Sequence, residues 1–333
     1  MISRGAFVAM ALAASAGAAA RAGSDDFADP ASTARTQELR VLLGPGTLAP
    51  ASADGFTFNG RAYRGDATRL ADGTVVNTLP LEAYLYSVVP REMTPSWPAA
   101  ALAAQAVCAR TYVLQRSNPQ HAYDLVPSEL DQVYAGIPSE TPAGRAAVDA
   151  TKAMVLRYGD GFARIAYSSC CGGHTESSID VWGGAPIPYL SGVICTTCVD
   201  APYYRWNREI DLAAVAQAFA TELQPVAPLQ AVRQGAPDPS GRISAFVLQG
   251  ARGDISIKGG VFRLRIGARI LPSLLITKFE PSTKAPERIV IEGGGLGHGV
   301  GLCQWGARGR ALEGASFSDI LRFYFPGTEI EHD

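Results

Sequence analysis

Val88-Val89-Pro90-Arg91-Glu92-Met93-Thr94-Pro95-Ser96-Trp97 joins two helical stretches and carries one carboxyl between two prolines. Upstream, Leu81 to Val89 reads as a short helix, with Pro80 at its first turn, where a missing N–H is harmless. Downstream, Pro98 to Arg116 is the clearest helix of the chain. It is rich in Ala, with Ser96 as the expected N-cap and Ser117-Asn118-Pro119 as its stop. Glu92 is therefore expected in a stiffened loop among the apolar side chains of Val89, Met93 and Trp97. A carboxyl held there is desolvated, its pKa rises, and it becomes a proton donor usable near neutral pH. For a lone Glu, a solvated helix–helix turn is the commoner explanation.

Working outward, Glu38 to Leu43, Phe56 to Tyr63 and Thr74 to Asn77 read as short strands punctuated by Asn-Gly and Asp-Gly turns. Pro142 to Met154 is a second helix. Val155 to Tyr158 and Phe162 to Tyr167 flank Gly159-Asp160-Gly161 as a hairpin. Leu212 to Leu223 is a third helix. Strand-like runs then recur at Ile243–Leu248, Asp254–Ile257, Phe262–Ile266, Leu274–Phe279 and Ile289–Glu292. This partial segregation points to an α+β fold, with mixed helices and mostly antiparallel strands around one catalytic groove. A single domain over 37–330 is expected, with Gln224 to Ser240, rich in Pro and Gly, as the best internal break.

The totals narrow the function. Of 333 residues, 47% are hydrophobic and 18% charged, enough apolar material for a large core. The net charge of −2 leaves no basic stripe to neutralise phosphates, so nucleic acid is excluded as a partner. Residues 1–22 carry Arg4, an apolar run from Ala6 to Ala14 and a small-x-small site at Ala20-Arg21-Ala22, the layout of a secretory signal peptide. Residues 23–36 read as a flexible leader. The mature protein is expected outside the cytoplasmic membrane, in the periplasm or cell-wall space.

Cysteines form a second chemical cluster. Cys170-Cys171-Gly172-Gly173-His174 and Cys195-Thr196-Thr197-Cys198 supply a C-x-x-C pair, an upstream Cys and a His. Cys171, His174, Cys195 and Cys198 would make a Cys3His structural zinc site, with no coordination position left for a reactive water. In an exported protein a disulfide is the alternative, Cys195 pairing with Cys198 or Cys171. Ser168 and Ser169 lack a nucleophile elbow, so lining a cleft suits them better than serine hydrolysis.

The third cluster is Gly293-Gly294-Gly295-Leu296-Gly297-His298-Gly299-Val300-Gly301, followed by Gln304-Trp305. No βαβ unit follows it, so it binds no nucleotide. It reads as a loop whose backbone passes close to something and presents His298 and Gln304. Trp305 offers a flat face suited to a sugar ring.

Three groups of residues carry a family resemblance. The first is Pro90-Arg91-Glu92-Met93, Ser96-Trp97, Ala101-Leu102, Ala104-Gln105-Ala106-Val107 and Ala109-Arg110-Thr111-Tyr112. The second is Tyr167-Ser168-Ser169 with Cys171-Gly172-Gly173-His174-Thr175, Trp182-Gly183-Gly184 and Pro188-Tyr189-Leu190. The third is the glycine motif through Gly306-Ala307. Together they resemble the stage II sporulation protein D family, also named for an amidase enhancer. The resemblance implies a lytic transglycosylase acting on peptidoglycan glycan strands, with a preference for strands stripped of peptides by an amidase. It assigns the catalytic acid/base to Glu92 and places Arg110, and less strongly Gln105, in the cleft. Some relatives bind zinc near the cysteine segment. Hydrolysis would need a second carboxyl, for which Asp124, Glu129, Asp131 and Asp180 are candidates. A wall-binding activator of an amidase, cutting nothing, is the rival from another class.

Overall fold

A computed structural model describes residues 38–50, 55–128 and 131–333. The expected signal segment 1–22 and leader 23–36 lie outside these residues, as does Glu129. Among the described residues the helices are α1 (Leu81–Glu92), α2 (Ala99–Arg116), α3 (Pro142–Ala150), α4 (Ser178–Trp182), α5 (Leu212–Ala218), α6 (Ala220–Leu223), α7 (Gly259–Ile266), α8 (Gln304–Leu312) and α9 (Phe317–Tyr324). None is long and apolar enough to cross a membrane. The strands form small sheets that are antiparallel apart from one pairing, so the α+β expectation holds.

Apolar side chains collect into two cores. The first draws on both ends of the chain, from Leu39 to Ala201 and again from Val300 to Phe325. The second lies wholly between Trp206 and Ile291. The chain thus builds a body, inserts a smaller unit, and returns to finish the body. The expected span 37–330 contains both. Gln224 to Ser240 does not separate them, because Phe219 and Ile243, on either side of it, share the second core.

In the body, α2 is the hub on which α1, α3, α8 and α9 pack. Its alanines let neighbours approach closely, and it is buried along nearly its whole length. Beside it, Thr74–Pro80 is the middle strand between Glu38–Pro45 and Asp66–Arg69. Met154–Tyr158 pairs with Gly161–Phe162 and with the C-terminal strand Glu329–His332. Among the described strands, the one parallel pairing sets Tyr167–Ser168 against Leu302–Cys303, and an isolated parallel bridge of Glu176 with Val300 lies nearby in sequence.

Several local expectations are corrected. Helix α1 continues through Pro90, so Glu92 is its last residue and not part of a free loop; the Met93 N–H closes on the Val89 carbonyl at 3.0 Å. The proline ring fits because α3 turns Gly144 toward it: a Cβ on Gly144 would lie 2.5 Å from Pro90 Cγ. Pro98, not Ser96, occupies the N-cap of α2. Phe262–Ile266 belongs to α7 rather than a strand. There Phe262 stacks on Phe246 at 4.1 Å and on Phe219 at 5.4 Å, and that burial outweighs local strand preference.

The insertion is pinned to the body by Arg242. Its buried guanidinium donates to the carbonyls of Cys171 (2.7 Å) and His174 (3.0 Å), and lies 3.7 Å from the buried carboxylate of Glu176. Ser240, two residues earlier, also donates to Glu176. Removing one partner of such a pair strands the other charge. Arg242→Met is expected to destabilise the protein by about 3–5 kcal/mol in urea unfolding.

Burial raises the Glu176 pKa from 4.5 to about 7, against the lowering effect of Ser240, the Ser177 N–H and Arg242. The sign follows: stability linked to this carboxyl is complete below pH 4.5 and is lost as pH rises through 7. Glu176→Gln should flatten the stability-versus-pH curve across that window in thermal melts. A slope as steep as in the parent would assign it to other groups.

Candidate active site and sulfur cluster

The Glu92 carboxyl is half-buried, and its Oε1 accepts the Val133 N–H at 2.9 Å. Around it stand the phenols of Tyr84, Tyr112 and Tyr167. Burial pushes all three well above the usual tyrosine range. The nearby Glu92 carboxylate raises them further, as does Asp131 for Tyr84 and Tyr112. All three are therefore protonated at any ordinary pH, and Tyr112 donates to Asp131 at 3.1 Å. Trp97, in the turn that follows α1, packs edge-on against Trp305 with centroids 5.0 Å apart, drawing that turn onto the start of α8. An open depression of about 290 Å3 adjoins the same loop, lined by Arg61, Pro90, Arg91, Pro95, Ala135, Pro138, Ser139 and Thr141.

The parallel strand pair brings most of the other expected site residues together. The Trp305 N–H donates to the Ser169 carbonyl at 3.0 Å, and Gln304 Nε2 donates to Gln105 Oε1 at 3.3 Å. Ser168 is buried against Gly297, and its hydroxyl has no partner. Gln105 Nε2 is likewise buried without a partner. Gly299, at φ +84°, must be glycine because a Cβ there would lie 2.4 Å from the Arg242 guanidinium. His298 follows the same loop. Its Nδ1 accepts the Val300 N–H at 3.0 Å, and the Tyr167 carbonyl takes its other ring nitrogen. Burial, with Arg263 and Arg242 adding positive field, lowers its pKa to about 4. The ring is neutral near pH 7 and its Nδ1 is held by backbone.

Arg110 is a correction. It does not reach the cleft: Nε and Nη2 grip the Glu82 carboxylate at 2.8 and 2.7 Å, Nη1 holds the Met154 carbonyl at 3.0 Å, and the side chain is 1% exposed. Gln105 and Arg110 thus face different sides of α2. The acidic candidates also separate. Asp124 is buried against Arg40, and Asp180 is exposed on α4. Asp131 holds the Val126 N–H and the Tyr112 hydroxyl, which places it beside the same phenols as Glu92.

The cysteines converge, but His174 does not join them. The sulfurs of Cys171, Cys195, Cys198 and Cys303 lie within 4.8 Å of one another, all buried. His174 instead holds the Thr175 carbonyl through Nδ1 at 2.6 Å. Cys171 and Cys198 sulfurs are 3.7 Å apart, far beyond a disulfide bond of about 2.05 Å. That spacing matches the edge of a tetrahedron built on Zn–S bonds of about 2.3 Å, whose edge is about 3.8 Å. Backbone N–H groups of Cys171 (3.2 Å) and Gly306 (3.3 Å) donate to the Cys303 sulfur. Gly306 leaves room for the cluster: a Cβ there would lie 2.5 Å from the Cys195 sulfur. The four residues fit a structural zinc ion.

Comparisons with known proteins follow this division of the chain. Residues 71–158, which hold Glu92, Gln105 and Arg110, match the stage II sporulation protein family. The amidase enhancer of Bacillus subtilis (strain 168) is 30% identical over 296 residues, which cover 74% of this chain and 40% of that protein. The chain belongs to the stage II sporulation protein D and amidase-enhancer family. Stage II sporulation protein D of the same Bacillus strain is 27% identical over 298 residues, covering 84% of this chain and 82% of its own. An uncharacterized protein of Brachyspira hyodysenteriae (strain ATCC 49526 / WA1) is 34% identical over 284 residues, covering 83% and 74%. Residues 195–301 match a domain of unknown function, DUF8618, and so span the insertion of this family member.

Cys303 escaped sequence reasoning because it sits far from the C-x-x-C pair, inside a motif read for its glycines. Its position between the glycine loop and Gln304-Trp305 was the available signal. Cys303→Ser should lower both the zinc content of purified protein and its melting temperature, while His174→Ala retains the metal. Equal zinc in the Cys303→Ser and parent proteins would rule out the four-sulfur site.

Proposed function

We propose that the protein is an exported lytic transglycosylase that cleaves the N-acetylmuramic acid–N-acetylglucosamine bond of peptidoglycan strands, leaving 1,6-anhydro ends. The observation that carries this reading is a half-buried Glu92 at the end of α1, held by the Val133 N–H, on the segment that matches the family. Protonated Glu92 donates to the glycosidic oxygen as the bond to the sugar breaks. The muramoyl C6 hydroxyl then captures the oxocarbenium-like carbon, and Glu92 recovers that proton. The nucleophile lies within the substrate, so one carboxyl suffices and no water is consumed. Ser169 and Trp305, both half-buried, line the sugar cleft, with Trp305 edge-on to Trp97 at its wall, and the buried Gln105–Gln304 pair and Ser168 back it from beneath. Zinc, where bound by Cys171, Cys195, Cys198 and Cys303, supplies only a cross-link, since protein fills all four positions.

Two observations favour other readings. Asp131 shares the phenol shell with Glu92, and as a base it would turn the reaction into hydrolysis. A relative is named an amidase enhancer, and an activator that binds glycan without cutting fits that name.

Incubation with amidase-treated sacculi separates the three: anhydro ends mark transglycosylation, reducing ends hydrolysis, and intact strands binding alone. Glu92→Gln is expected to slow cleavage by at least about 10²-fold with its fold retained. Parental cleavage rates in that variant would remove Glu92 from the chemistry.

A further inference from the structure

The whole-chain net charge of −2 conceals an uneven distribution. Residues 206–291, which form the inserted unit, carry eleven Lys and Arg against seven Asp and Glu, so this unit is basic and the remainder of the chain acidic. Several of these cations ring α7. Lys258 stands at its N-cap, Arg265 in its last turn and Arg269 just beyond its end, all three exposed. Arg208 donates to the Arg269 carbonyl at 3.1 Å, which brings a fourth guanidinium to the same end. Arg265 is paired with Glu222 at 2.6 Å. Among the described residues no carboxylate pairs with Lys258, Arg208 or Arg269.

Within that ring, α7 turns two large apolar side chains to water. Leu264 is 80% exposed and Val261 40%. Three residues apart, they are neighbours on one face of the helix. The other face already serves the core through Phe262, buried against Phe246 and Phe219, so folding asks nothing apolar of positions 261 and 264. The surface beside them is open, since a Cβ on Gly260 or Gly267 would meet nothing within 4 Å. A single exposed leucine is ordinary. An apolar pair one turn apart among cations is the pattern of a helix that lies in a membrane interface.

We propose that the outer face of α7 docks on an anionic phospholipid surface, Leu264 and Val261 entering the boundary between headgroups and acyl chains while Lys258, Arg208 and Arg269 meet lipid phosphates. Charge complementarity selects this occupant. A basic patch with an apolar centre matches phosphates that overlie hydrocarbon, whereas a soluble polyanion would leave Leu264 in water. Docking would also fix the cleft. The Pro272 carbonyl accepts from Arg263 Nη2 at 2.8 Å and from the Gly297 N–H at 3.1 Å, so α7 and the glycine loop share one anchor. On the reading that the protein is exported and acts on glycan strands, it would work on those nearest the membrane. The lipid contact itself requires neither cleavage nor a glycan ligand.

The test is cosedimentation of the full chain with vesicles of phosphatidylcholine alone and of phosphatidylcholine mixed with phosphatidylglycerol. The mixed vesicles should bind far more protein, and less of it as salt is raised. Lys258→Gln combined with Arg269→Gln should weaken binding about 20-fold, from about fivefold per cation. Leu264→Gln should weaken it about tenfold with the melting temperature unchanged. In Leu264→Trp, the added indole emission should shift to the blue on the mixed vesicles. An emission that stays at its aqueous wavelength overturns the docking, as does an absence of binding or binding that none of the substitutions reduces. Release of the protein from vesicles by polyphosphate, with Leu264→Gln behaving as the parent, assigns the face to soluble polyanions and overturns it as well. Failure here leaves glycan cleavage standing, and uncut sacculi leave the lipid contact standing.

Discussion

The chain leaves the first core at Ala201 and re-enters it at Val300, and a two-residue parallel pairing of Tyr167–Ser168 with Leu302–Cys303 receives it on return. Closing so long an excursion costs conformational entropy that a pair of short strands can scarcely offset. The ladder of Trp206–Asp211 on Arg288–Gly294 brings the two ends together, and zinc held by the four sulfurs would tie them to the body. Cys171 follows one strand, Cys303 lies in the other, and Cys195 and Cys198 sit just before the excursion begins. His298, Gln304 and Trp305 all take their places from this junction.

The same junction separates the roles of residues that sequence alone groups together. His298 and Arg110 both look like chemical side chains. Yet one is neutral with its ring nitrogens on backbone, and the other is locked to Glu82 beneath the surface. Arg110 positions α2 against α1 and the strand that begins at Met154, which in turn positions Glu92 at the helix end. What remains at the cleft is a carboxyl, a shell of phenols and a few amides and hydroxyls.

Legibility followed the range of the physical cause. Helices α1 and α2, the Asn59-Gly60 hairpin and the strands from Ala245 to Lys258 were readable because local pattern and turn chemistry determine them. Helix α7 was not, since the ring stack on Phe246 and Phe219 is a tertiary effect acting on a strand-like string. The fourth sulfur of the cluster escaped for the same reason: Cys303 meets the C-x-x-C pair only through the parallel pairing of distant strands. Two cores were hidden because the linker-like residues 224–240 lie within the second one, while its true boundaries are strands.

Those boundaries carry a consequence of their own. Trp206 and Gly293 face each other across a ladder, and the Gly295 N–H reaches back to the Tyr203 carbonyl at 2.7 Å. An excursion that starts and finishes at one spot is a cassette. Its far side can be enlarged or shortened without moving the walls on either side, so long as the grip of Arg242 on Cys171, His174 and Glu176 is kept.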